Sequence, residues 1–190
     1  MMKDFFALLD NLNESDRKLV EGYSLGEIKK LEKLYDIAIK GDFLEFMLKM
    51  GRCSGGLFGD VPIPLYRELW PLRTHIFFQT IVPNFLREQH LYNLSSKKPF
   101  CIAYESETQY YFILTEATED WVYHYDENDD IVRNTNLKFK DFMMKKYIEY
   151  ADEYVVNGNN IICRGELLFF FFFGRVKACM FLCVSDFCHR

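Results

Sequence analysis

The stretch PFCIAYESETQYYFILTEATEDWVYHYDENDDIVRNTNLK, residues 99–138, decides the fold. Upstream of it apolar residues recur every three or four positions, and from Pro99 the period becomes two. Phe100, Ile102 and Tyr104 alternate with Cys101 and Ala103. Tyr110, Phe112 and Leu114 alternate with Tyr111 and Ile113, and Trp121, Tyr123 and Tyr125 with Val122 and His124. Successive strand side chains point to opposite faces, so this spacing predicts three strands. The short connections Glu105–Gln109 and Thr115–Asp120 make them a meander. Asp126-Glu127-Asn128-Asp129-Asp130 reads as a polar turn, and Ile131-Val132-Arg133 returns as a short strand. Asn136 or Lys138 then leads into a closing helix with Phe139, Phe142, Met143, Tyr147 and Ile148 on one face.

Working towards the N-terminus, residues 61–99 hold all five prolines and are the hardest to read; 65–70 and 84–92 each read as helical turns. The glycine-rich run Gly51–Gly59 has no Lys-Ser/Thr after it and no strand before it, so it reads as a helix stop and tight turn, not a phosphate cradle. Before it, Asp42 can cap a helix with Glu45 three residues on, Phe43, Phe46, Met47 and Met50 form its stripe, and Gly51 stops it in a left-handed conformation. The clearest helix start is Ser24-Leu25-Gly26-Glu27, a capping box followed by Ile28, Leu31, Leu34 and Tyr35 at helical spacing. Residues 4–21 read as one or two short amphipathic helices. Helices, an irregular linker, an antiparallel sheet and a closing helix make an α+β domain over residues 1–150.

The chain carries 23 Lys and Arg against 28 Asp and Glu, net −5. That balance argues against a general binder of nucleic acid or anionic membrane, which needs clustered cations. The start MMKDFFALLDNLNESDRK lacks the basic opening and unbroken apolar centre of a secretory signal. The expected compartment is therefore the cytoplasm, with reduced cysteines. Residues 151–190 differ in kind: seven of the 19 Phe fall in the last 22 residues, five of them consecutive from Phe169 to Phe173. In the stretch 161–184 the longest uncharged run, Leu167 to Gly174, falls far short of the roughly 20 residues a membrane helix needs, and Arg175 and Lys177 would lie near its centre. The segment reads as an apolar Cys- and Phe-rich tail, either packed on the domain or an out-of-frame extension.

The arrangement resembles the SUKH superfamily, which includes fungal cell-wall assembly regulators and bacterial toxin-immunity proteins. The residues that carry the resemblance are Ser24, Glu27, Ile28, Leu31 and Glu32, then Tyr35-Asp36-Ile37, Phe43-Leu44-Glu45-Phe46-Met47, Gly51 and the pair Gly55-Gly56. Pro99-Phe100-Cys101-Ile102-Ala103, Tyr111-Phe112-Ile113, Val122-Tyr123-His124-Tyr125 and Phe139-Lys140-Asp141-Phe142-Met143 continue it through the sheet and closing helix. It covers about residues 20–150. Many members have Leu-Pro before the second helix, where this chain has Ile39-Lys40-Gly41, and the tail after Tyr150 has no counterpart. The resemblance implies a protein that binds and does not catalyse: an immunity protein for a cognate toxin, or an intracellular regulatory scaffold.

Charge is the most informative chemistry. Between Pro99 and Val132 there is no Lys or Arg, but there are nine acids: Glu105, Glu107, Glu116, Glu119, Asp120, Asp126, Glu127, Asp129 and Asp130. Sitting in loops and at strand ends, they are expected to crowd one rim of the sheet and meet a basic, nuclease-type toxin there. The plain alternative is a set of solvated loops that keeps the chain soluble. Tyr110, Tyr111, Trp121, Tyr123 and Tyr125 read mostly as core and cross-strand pairs, with a minority on an open sheet face as anchors for the partner. Asp126-x-Asn128-x-Asp130 imitates a calcium loop but has Ile131 where Gly is needed and Leu137 where the bidentate Glu belongs. His75, His90, His124 and His189 show no metal spacing, and Cys179, Cys183, Cys188 and His189 lack paired ligand spacing. His124 reads as an edge or core histidine. The expectation is no catalytic residue, no cofactor and no metal.

Overall fold

The computed structural model describes residues 5–58, 70–105 and 108–154. A 3-10 helix (Phe5–Asn11) and α1 (Glu14–Arg17) precede α2 (Leu25–Tyr35) and α3 (Gly41–Met50). Next come α4 (Trp70–Glu88) and α5 (Tyr92–Ser95). The strands β1 (Pro99–Glu105), β2 (Gln109–Leu114), β3 (Trp121–Asp126) and β4 (Ile131–Lys138) lead into α6 (Phe139–Tyr154). The α+β class holds: the strands form one antiparallel sheet in the order β1-β2-β3-β4. β4 is longer than expected, running to Lys138, and α6 continues past residue 150. The rest of the tail lies outside the described residues.

The start of α2 shows both bonds of the capping box: Glu27 N donates to Ser24 Oγ at 3.3 Å, and Ser24 N donates to Glu27 Oε2 at 2.9 Å. Two expectations for α3 fail. Its N-cap is Lys40 with no side-chain cap bond, because Asp42 already lies in the first turn and pairs instead with Lys140 of α6 at 3.0 Å. Gly51 at the other end is right-handed, φ −66°. Glycine is required there by space: a Cβ would lie 2.6 Å from the Met47 carbonyl oxygen and 2.8 Å from the Tyr23 ring.

The helical turn expected at 84–92 is the end of the 19-residue α4, with Pro83 in its interior. Pro83 has no amide to give the Gln79 carbonyl, a cost usually enough to end a helix. The helix survives because Phe78, Val82 and Leu86, one turn apart, are fully buried on the sheet. They pack with Cys101, Tyr104, Tyr110, Phe112, Leu114 and Tyr125. The other sheet face, bearing Phe100, Ile102, Ala103, Ile113 and Val122, is covered by the 3-10 helix, α2, α3 and α6. There the Phe43 ring centroid lies 5.9 Å from that of Phe100 and 5.3 Å from that of Phe139. This cover on both faces, over β1, β2 and the centre of β3 but not the largely exposed β4, corrects the expected open face with aromatic anchors. It also explains why every residue of β1 up to Tyr104 is buried.

The pairing of β1 with β2 slips between Cys101 and Ala103. That bulge puts Ile102 and Ala103 on the same face and sends Tyr104 to the α4 side with Cys101, against simple alternation. At the outer edge, β4 has a second irregularity opposite Trp121 and Tyr123, with Asn136 at φ 59°. Asn136 N donates to Asn134 Oδ1 at 2.7 Å, and Leu137 N donates to Thr135 Oγ1 at 3.3 Å.

Candidate binding surface

The meander decides where the acids go. The β1–β2 and β3–β4 connections leave one end of the sheet, and the β2–β3 connection leaves the other. Glu105 and Asp126 to Asp130 therefore lie at one end, and Glu116, Glu119 and Asp120 at the opposite end. With five steps along β2, the two groups are roughly 17 Å apart. The single acidic rim does not form. Glu107 lies outside the described residues.

At the β2–β3 end one of the three acids, Glu119, is answered by a cation. Glu119 pairs with Lys138, whose ammonium lies over the Trp121 ring at 5.5 Å. A cleft of about 310 Å³ opens beside them, walled by Phe43, Ile113, Leu114 and Ala117 and edged by Asp42, Glu119 and Asp120. Burial, reinforced by the Asp42 carboxylate, raises the Asp120 pKa above its ordinary value. Lys140 holds Asp42 at 3.0 Å and Glu45 at 3.3 Å, so the cleft mouth carries both signs of charge. Glu116 is exposed, its backbone N–H donating to the Lys97 carbonyl at 3.1 Å.

The β3–β4 end is different. Glu105 is bound by the buried Lys146 of α6 and accepts from the Tyr111 hydroxyl at 3.0 Å. Three of the four acids of the turn, Asp126, Glu127 and Asp130, are instead held by uncharged donors. Gln109 Nε2 donates to Asp126 Oδ1 at 2.7 Å, and Asn128 N donates to the same oxygen at 3.0 Å. The Tyr125 hydroxyl donates to Asp130 Oδ1 at 2.9 Å, and the Tyr110 hydroxyl to Glu127 Oε2 at 3.4 Å. These donors order the carboxylates without neutralising them. Among the described residues Asp126, Glu127, Asp129 and Asp130 form no ion pair, and Asp129 and Asp130 are exposed. The Gln109 bond, then Asn128, holds the Asp126 carboxyl below the usual range. Burial pushes the Tyr110 and Tyr125 phenols up, so they remain donors at every working pH.

Sequence reading found the acids and missed the braces. The sequence pattern puts Gln109 in the β1–β2 connection and reads Tyr110 and Tyr125 mostly as core and cross-strand pairs, although the register that sets Gln109 opposite Asp126 and Tyr110 opposite Tyr125 follows from the meander. Lys146 gave no signal: it looks like any solvent-facing helix lysine, yet it is 6% exposed.

Among the described residues no group of His, Cys, Asp and Glu could hold a metal ion, and no helix is long and apolar enough to cross a membrane. Cys53 and Cys101 are buried thiols. Compared with known protein families, curated proteins and solved structures, the chain matches none.

Proposed function

We propose that this chain is a SUKH-like, non-catalytic binding protein of the cytoplasm that captures a basic protein partner on the β3–β4 turn. The observation that carries this reading is the set of four carboxylates outside any ion pair among the described residues, Asp126, Glu127, Asp129 and Asp130, of which Asp126, Glu127 and Asp130 are ordered by neutral donors. Gathering like charges costs free energy that a cationic partner returns, and a fixed acidic patch speeds encounter with such a partner. Support for the family comes from the order of helices, meander and closing helix. An immunity protein occluding a nuclease-type toxin fits best, because proteins that grip phosphate backbones are basic. The opposite acidic group, with Glu119 answered by Lys138, is the weaker surface.

The test is co-expression with the toxin reading frame beside its gene, scored as growth. The native chain is expected to protect. The double variant Glu127→Lys/Asp129→Lys, folded by circular dichroism, is expected to lose protection and at least about ten-fold in affinity, some 1.4 kcal/mol. Protection that survives the reversal sinks the surface. A chain that protects against no toxin but binds a host signalling protein is a regulatory scaffold.

A further inference from the structure

Behind the acidic turn runs a row of polar side chains between the sheet and α6. His124 on β3 faces Tyr111 on β2 and Arg133 on β4 in register. Its Nε2 lies 2.6 Å from Gln109 Oε1, and Gln109 Nε2 donates to Asp126 at 2.7 Å. Gln109 gives its nitrogen to Asp126 and turns its oxygen to His124, so His124 Nε2 carries the proton. The neutral ring is then bare at Nδ1, and a second proton binds there without breaking the relay. The ring stacks on Tyr111 at 4.9 Å, and Lys146 Nζ lies 5.0 Å from the same Tyr111 ring.

The charged groups around the imidazole come from every neighbouring element: Asp126 beside it on β3, Arg133 on β4, Glu105 on β1 and Lys146 on α6. Tyr111 contributes from β2 only as a phenol. Burial holds the His124 pKa below its ordinary value; Asp126 and Glu105 pull against this, while Arg133 and Lys146 add to it.

We propose, resting on the acidic-turn reading above, that His124 is a proton sensor that loosens the turn's hold on a cationic partner as the medium turns acidic. The geometry makes the coupling direct. An imidazolium places a positive charge one glutamine away from Asp126, inside the patch that the partner's cations must approach. Linkage is reciprocal: a cation at the turn opposes protonation of His124, and protonation opposes the cation by the same factor. Carboxylates as a class titrate near pH 4, so between pH 7.5 and 5.5 histidine is the group that changes charge.

Decalysine is the probe, and its dissociation constant is measured at pH 7.5 and 5.5 for the native chain and for His124→Gln, which keeps a donor for Gln109. The native chain is expected to bind about five-fold more weakly at the lower pH, the small end of typical coupling, and His124→Gln to show no such change. The same pH dependence in both chains overturns the proposal. In parallel, the His124 titration is followed by NMR in the native chain and in Glu127→Lys/Asp129→Lys. A lower midpoint in the variant is expected, and an unchanged midpoint overturns the coupling whether or not the peptide binds. Failure of decalysine to bind at either pH sinks the acidic-turn reading alone, and the NMR titration still decides the sensor.

Discussion

Glu27 does its work with both carboxylate oxygens. One accepts the Ser24 amide at the head of α2, and the other holds Arg52, whose guanidinium lies 4.8 Å above the Tyr23 ring. Burial opposes its ionisation, yet the Ser24 bonds and Arg52 hold its pKa below the ordinary value. Glu27→Ala removes half of the capping box and leaves Arg52 without its nearest carboxylate. A loss of about 1–2 kcal/mol is expected in urea unfolding, and a smaller loss for Ser24→Gly. Asp120 is the opposite case: its raised pKa means that the fold disfavours the ionised form. The native state binds that proton more tightly than the unfolded chain, so its contribution falls as pH rises. Asp120→Asn is expected to raise the melting temperature at pH 7 and to lose that advantage at pH 3. These two carboxyls were not equally legible. The spacing of Ser24 and Glu27 states its own geometry, whereas the burial of Asp120 depends on α3, which is distant in sequence.

Among the elements, α4 is where sequence reading stopped short, and the reason is local against global. Pro83 and the surrounding prolines argue for a broken segment, while Phe78, Val82 and Leu86 keep helical spacing through it. Tertiary burial outweighs the missing amide. Phe78, fully buried against Tyr110 and Phe112 at 6.0 and 5.4 Å, is the largest of the three residues that hold α4 on the sheet. Phe78→Ala is expected to cost about 3–5 kcal/mol, measured by chemical unfolding. The meander, by contrast, was legible almost to the residue at β2 and β3, because alternation there is unbroken. It misled at β1, where one bulged residue shifts Tyr104 to the other face. A one-residue slip cannot be seen in a pattern of apolar residues on both sides.

For the whole molecule, charge and pH act together. His124 has a depressed pKa in the fold, so the stability it confers is complete above about pH 6.5 and is lost as pH falls. Glu27, Glu45, Glu149 and Asp126 are also depressed, and their contributions fade below about pH 4.5. Two losses on acidification are expected in melting curves, and His124→Gln removes only the first. The meander sends alternate turns to opposite ends, so the eight described acids divide between two ends, which the expected single rim overlooked. Which of them are neutralised was not legible, because Lys138 and Lys146 come from β4 and α6. The margin of the sheet carries a last consequence. The amides of Asn136 and Leu137 are consumed by the side chains of Asn134 and Thr135, so a neighbouring copy finds two donors fewer at that end of β4. A chain this rich in aromatic strand sequence needs such protection against fibre growth. Asn134→Val/Thr135→Val would strip it, and light scattering of the variant should rise with time at concentrations where the native chain stays clear.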